Sequence, residues 1–140
     1  MASIAVNPLV LKDVVLTFGT NSYEEHVSNV TFTPTASVLT WKGLTPTSVH
    51  SAVTTATWAA ALTYVQDFET ADSLAVYLFN NEGEEVNVTF KPRSGSGPSF
   101  TATLTITPGA IGGAIDAYSE ATVTLGCKGK PVLVPAAATV

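Results

Sequence analysis

From Phe100 to Thr107 apolar side chains and threonines alternate without interruption. Phe100, Ala102, Leu104 and Ile106 fall on one side of an extended chain, and Thr101, Thr103, Thr105 and Thr107 on the other. That period of two marks a β-strand with one face in a core and one in water. The wet face is unusual. Solvent-facing strands ordinarily carry Lys, Glu or Arg, which also discourage edge-to-edge pairing. An uncharged, hydroxylated, β-branched face suits contact with something large and repetitive better than the grip of a small substrate.

The same periodicity predicts further strands over 10–18, 26–33, 37–44, 57–65, 85–92 and 118–127, separated by turn chemistry such as Gly19-Thr20-Asn21. Trp58, Ala60, Leu62 and Tyr64 share one face of their strand, as do Val86, Val88 and Phe90 of theirs, and Trp41 and Trp58 both read as inward-facing. Residues 45–57, dense in Thr and Ser, read as a long loop, and SGSGP at 94–98 as a flexible hairpin connection. One helix is predicted over 71–81, with Thr70 or Asp72 as N-cap and Gly83 at C′. GAIGGAIDA at 109–117 is a glycine-rich link, and Pro131 and Pro135 break up an apolar tail. Three strands end alike, in VTFTP, VTFKP and LTITP. The segments between them do not match, so convergence on a strand-ending proline explains this better than a repeat.

At 140 residues the chain is expected to form one domain, 1–140, with a real core. It is 46% hydrophobic with a mean hydropathy of +0.32, and only 12% charged against about 25% in a typical soluble domain. No stretch approaches the roughly 20 apolar residues that cross a bilayer, so no membrane role is expected. A chain this apolar is expected to cover much of its surface with copies of itself or a partner. The net charge of −5, with six basic residues scattered in ones and twos, argues against affinity for a phosphate backbone. Cys127 is alone and cannot form an intrachain disulfide. Met1-Ala-Ser-Ile has neither the basic nor the apolar region of a secretion signal, which reads as synthesis in a reducing cytoplasm.

Candidate chemistry is sparse. His26 and His50 have no ligand spacing for zinc, so neither metal nor cofactor is expected. Cys127 continues the alternation of Val123 and Leu125 and reads as a small core residue rather than a nucleophile. There is no G-x-S-x-G elbow, and Gly109, Gly112 and Gly113 do not form a phosphate-binding fingerprint. Glu82, Glu84 and Glu85 read as a hydrated acidic turn rather than paired catalytic acids. The expectation is a protein that is not an enzyme.

The order of several passages resembles the major tail tube proteins of long, non-contractile bacteriophage tails, especially those of phages infecting actinobacteria. These passages are LKDVVLTFG at 11–19, HVSNVTFTP at 26–34, TWKGLTPTS at 40–48, YLFNNEGEEVNVTFKP at 77–92 and IGGAIDAYSEATVTLG at 111–126. Their order and spacing, rather than any one of them, carry the resemblance. It implies a mainly β fold of two packed antiparallel sheets, a sandwich or partial barrel, with one flanking α-helix. It also implies a homo-oligomer of hexameric rings stacked into a tube that conducts DNA without specific binding. Its partners would be other tail proteins (tape measure, tail tip and terminator). The protein would reside in the virion tail, and in the host cytoplasm during assembly.

Under that resemblance Thr101, Thr103, Thr105 and Thr107 are candidates for the lumen face, where hydroxyls hold water and lysines would pin phosphates. The apolar ends, 1–9 and 131–140, become candidate inter-subunit arms, with Val6, Pro8, Leu9, Val132, Leu133 and Val134 as contact residues. The alternatives are another virion β-protein, such as a capsid decoration or tail terminator, or an immunoglobulin-like adhesion or carbohydrate-binding module. The last would need exposed aromatic residues on one face.

Overall fold

A computed structural model describes residues 2–93, 95 and 97–135. In chain order the elements are β1 (Val15–Phe18), β2 (Asn21–Ser22), β3 (Val27–Thr35), β4 (Val38–Lys42), β5 (Val49–Val53), β6 (Thr57–Val65), α1 (Leu74–Asn80), β7 (Glu85–Lys91), β8 (Ser99–Thr105), β9 (Glu120–Cys127) and β10 (Val132–Val134). All but β4 and β5 belong to one antiparallel sheet in the order β2-β1-β7-β8-β9-β6-β3, with β10 added alongside β8. The mainly β class with one helix is as the sequence predicts. The second sheet is only the β4–β5 pair.

The large sheet encloses the core by curving on itself. Phe32 of β3 and Phe90 of β7 are four strands apart in the sheet, yet their ring centroids lie 5.9 Å apart. A flat sheet would separate them by roughly 19 Å. Inside the curve lie Leu16, Phe18, Leu62, Val88, Leu104, Ile106 and Leu125, all nearly inaccessible. Each such side chain stabilises the fold by about 1.5–3 kcal/mol relative to exposure. Helix α1 adds Leu74, Ala75 and Leu78 to this core, and its Tyr77 ring sits 6.2 Å from that of Tyr23.

Strand direction gives the molecule two ends. At one, β3 and β7 finish, β1, β6 and β8 begin, and the β4–β5 hairpin leaves between β3 and β6; β9 runs the same way but stops at Cys127, opposite Leu104 near the far end of β8. At the other, α1 lies between the finish of β6 and the start of β7. These are the hairpin end and the helix end.

Several boundaries differ from those predicted, each for a local reason. The first strand begins at Val15, not Val10. Val15 pairs with Lys91, the last residue of β7, and Pro92 beyond it has no N–H to offer. Residues 45–57 contain β5, paired with β4 from Val38↔Val53 to Lys42↔Val49 around a turn in which Ser48 N–H donates to the Thr45 carbonyl. Helix α1 starts three residues late because Asp67 Oδ1 accepts the N–H groups of Glu69 and Thr70, holding that segment in a turn. Its N-cap is the fully buried Ser73, neither Thr70 nor Asp72; the Ser73 hydroxyl accepts from Val76 N–H and donates to the Asp67 carbonyl. Asn81 is the C-cap, so Gly83 stands one position beyond C′, with a φ of +85° and its N–H bonded to the Ile106 carbonyl. The threonine strand ends at Thr105, and β9 begins at Glu120 rather than Tyr118. Of the predicted 94–98 connection, residues 94 and 96 lie outside those described; β7 and β8 on either side of it are paired as expected.

Candidate assembly surfaces

The alternation seen at 100–107 turns out to be one row of a larger array. In strand register, Thr17 of β1 stands beside Thr89 of β7, and Thr89 beside Thr101 of β8. Asn87 stands beside Thr103, Thr105 beside Gly126 of β9, and Thr122 and Thr124 beside Thr63 and Ala61 of β6. Ala61, Ala59 and Thr57 in turn stand beside Thr31, Thr33 and Thr35 of β3. Cross-strand partners point to the same side. The outer face of the curved sheet is therefore threonine, alanine and asparagine across β1, β7, β8, β9, β6 and β3. Within the strands its charged residues, Glu85, Lys91 and Glu120, sit at strand ends, but Lys128 and Lys130, after β9, line a depression with Asn87, Thr89, Thr101 and Thr103.

Hydroxyl contacts tie the face together sideways. Thr63 Oγ1 and Thr122 Oγ1 are 3.1 Å apart, and the Thr103 hydroxyl donates to Asn87 Oδ1 at 3.0 Å. Thr105 and Thr107 are exposed, whereas Thr101 and Thr103 are half-buried. Thr107 lies past the end of β8.

The β4–β5 hairpin is a second surface. Every residue of both strands is exposed, and the pair has apolar groups on both faces. Trp41, expected to face inward, is 64% exposed and lies against His50 with ring centroids 5.7 Å apart. Alternation assigned it a side, but a hairpin that leaves the body has no core side. Leu44 at the tip is fully exposed.

The predicted arm residues meet at the hairpin end. Leu9 and Leu133 both line an apolar groove of about 550 Å³ whose other walls include Phe32, Trp58, Phe90 and Phe100. Pro8 is held there by Arg93, whose Nη2 donates to the Pro8 carbonyl at 3.2 Å, while Val6 is almost wholly exposed. Val132, Leu133 and Val134 form β10, paired with Thr101, Phe100 and Ser99 of the same chain, and each remains about half exposed. Residue 1 of the predicted N-terminal arm and residues 136–140 of the C-terminal one lie outside those described.

Charge is only partly sorted by end. Lys42 lies in the hairpin, Lys91 and Arg93 where β7 finishes, and Lys130 beside Trp58 and Leu133. Lys12, followed by Asp13, shares a groove with Glu24 and Ser28, and Lys128 stands next to Thr103 near the far end of β8. The other ten acidic residues lie toward the helix end. Glu24 and Glu25 feed β3; Asp67, Glu69 and Asp72 lie between β6 and α1; Glu82, Glu84 and Glu85 run from α1 into β7; Asp116 and Glu120 lead into β9. Lys128 reaches Glu85 at 3.6 Å, with both side chains more than half exposed.

For chemistry, burial pushes the Cys127 thiol above its ordinary range, the opposite of an activated thiolate. Burial also raises Tyr64, partly offset by the Gly109 N–H that its oxygen accepts. His26 lies edge-on to Tyr23. Among the described residues no three of His, Cys, Asp or Glu are grouped to hold a metal ion, and no helix is long and apolar enough to cross a membrane. Compared with known proteins, the chain matches no family model and no curated protein.

Proposed function

We propose that this chain is a structural subunit that assembles with copies of itself into rings stacked as a tube for the passage of DNA. The setting that its motif order resembles is the tail of a long-tailed, non-contractile bacteriophage, and the subunit performs no chemistry of its own. The observation that carries this reading is the breadth of the threonine face: six strands wide, with its own charges at strand ends and Lys128 and Lys130 bordering it beside Thr101 and Thr103. A conduit wall for DNA must be wetted without gripping phosphate, and threonine hydroxyls meet both needs. The free edges of the sheet, β2 and β3, are where neighbouring copies would pair, removing the unsatisfied edges that such a sheet otherwise leaves open. The proposed localisation is the virion tail, with assembly in the host cytoplasm and further tail proteins at the ends of the tube.

Negative-stain electron microscopy of the purified protein at high concentration tests the reading. Rings or tubes support it; monomers under every condition overturn it. One observation favours a second reading. The exposed Trp41 is the kind of aromatic platform on which carbohydrate-binding modules stack sugars. Its neighbours on that face, Leu39 and Ala52 beside His50, offer few groups to hydrogen-bond a sugar, so this reading ranks second. Glycan-array binding abolished by Trp41→Ala, in a protein that forms no rings, would reverse the order.

A further inference from the structure

We infer that the apolar groove at the hairpin end is a binding site for a fatty acid, its hydrocarbon chain on the aromatic floor and its carboxylate at Lys130. This goes beyond the assembly reading and does not depend on it. A split in the large sheet creates the groove. Strand β9 leaves β6 at Ala59↔Gly126 and β8 at Leu104↔Cys127. The chain then turns through Gly129, at a φ of +83°, and β10 rejoins β8 alone, with Leu133 opposite Phe100. No strand therefore joins β10 to the start of β6, and Trp58 and Leu133 both line the opening.

Three rings make the floor: the Phe90 centroid lies 5.9 Å from that of Phe32 and 6.5 Å from that of Phe100. Phe32, Trp58 and Phe100 are only half-buried, and Leu9, Leu11 and Leu133 are about half exposed, although all six line one concavity. Apolar surface gathered in this way is stabilised by an apolar occupant. The volume of about 550 Å³ is that of a small-molecule site, and the mouths of β-barrels are frequent places for one.

Charge selects the head group. Among the described residues that line the groove, Lys130 is the single charged side chain and Thr31 the single other polar one. The Glu85 carboxylate is held by Lys128 rather than by Lys130, and Arg93 is committed to the Pro8 carbonyl. Lys130 is exposed, so its stem can lie on the apolar wall while its ammonium stays in water. A phosphate head would set nearly two negative charges against one cation. A sugar would find too few groups to hydrogen-bond it. A fatty acid needs only an apolar trough and one cation beside it.

The test uses the full chain carrying Trp41→Phe, which leaves Trp58 as the one tryptophan and its emission as the reporter. Dodecanoate, added below its micelle concentration, should change that emission saturably. Decanoate, with two methylenes fewer to bury, should bind on the order of tenfold more weakly. Dodecyltrimethylammonium, with the same chain and the opposite charge, should bind more weakly than dodecanoate, and Lys130→Glu should reverse that order. Lys130→Glu alters an exposed side chain, so its melting temperature should stay close to wild type. Leu133→Asp, checked for a native melt, should abolish the dodecanoate response by setting a carboxylate against the chain.

No saturable change in Trp58 emission overturns the inference. So does a response that Leu133→Asp leaves intact, because the amphiphile then sits elsewhere. Equal binding of both head groups, indifferent to Lys130→Glu, overturns the assignment of Lys130 and the fatty acid with it. A response that fades as protein concentration rises gives the groove to a second copy of the chain and overturns it as well.

Discussion

At the scale of single residues, Gly109 and Asp67 carry constraints that their neighbours do not. A Cβ on Gly109 would lie 2.1 Å from the hydroxyl of Tyr64, a buried core residue. Gly109→Ala should therefore destabilise by about 1–3 kcal/mol through forced displacement in a packed interior. Thermal melts of Gly109→Ala, Tyr64→Phe and the double variant check this; the double variant should be more stable than additivity allows, since it removes the clashing oxygen. Asp67 reports through pH. The Thr70 hydroxyl first, then the N–H groups of Thr70 and Glu69, hold its carboxyl below the ordinary 3.8, with His26 adding a smaller attraction. A depressed folded value means that the stabilisation is complete above pH ~4 and fades as pH falls through that lower value. Melts between pH 6 and 2 should accordingly show a flatter acid limb in Asp67→Asn than in wild type.

At the scale of elements, the exposed hairpin is expected to serve the proposed assembly rather than folding. Ser37 and Thr54, just outside it, are already joined: Thr54 N–H donates to the Ser37 carbonyl, and Ser37 N–H to Thr54 Oγ1, both at 2.8 Å. Excising residues 39–52 and closing with Asn-Gly should leave a cooperative β-rich melt while abolishing stacks; global unfolding by circular dichroism would show that the hairpin supports the core instead. Most of the strands legible in the sequence have a buried face; β4, predicted within 37–44, is the exception, since all its residues are exposed. In β3, β6 and β7, Val, Phe, Leu and Ala alternate with polar residues because one side is in the core. β5 was illegible because Val49, His50, Ser51, Ala52 and Val53 are all exposed and stand in a run dense in Thr and Ser, so no contrast of burial set them apart from a loop. The helix start was misplaced because Asp67 and Ser73, six residues apart, settle it together through the Ser73 hydroxyl bond to the Asp67 carbonyl. The threonine face was legible on one strand only. Thr31, Thr33, Thr122 and Thr124 alternate too, but their continuity with Thr101, Thr103 and Thr105 depends on a strand order that no local pattern contains.

At the scale of the whole molecule, the balance between wetting and adhesion is the testable property. The wild type should show no duplex-DNA affinity near the 10⁻⁴–10⁻⁶ M typical of non-specific binders at physiological salt, measured by anisotropy titration. Thr103→Lys with Thr105→Lys leaves Leu104 and Ile106 buried and should keep the monomer's melt nearly unchanged, yet add two cations per copy to the face beside Lys128 and Lys130. In a ring those charges repel one another or trap DNA, so virions carrying them should show fewer tails or slowed ejection. Normal tails with normal ejection would place this face on the outside. The protruding β4–β5 hairpin gives the proposed stacking a kinetic corollary. A contact between unlike surfaces never uses itself up: every subunit added restores the same free surface it consumed. Growth therefore has a direction and no built-in stopping point. In the proposed tube any defined length must then be imposed by other molecules, and the two termini, one with hairpins protruding and one without, call for different stoppers.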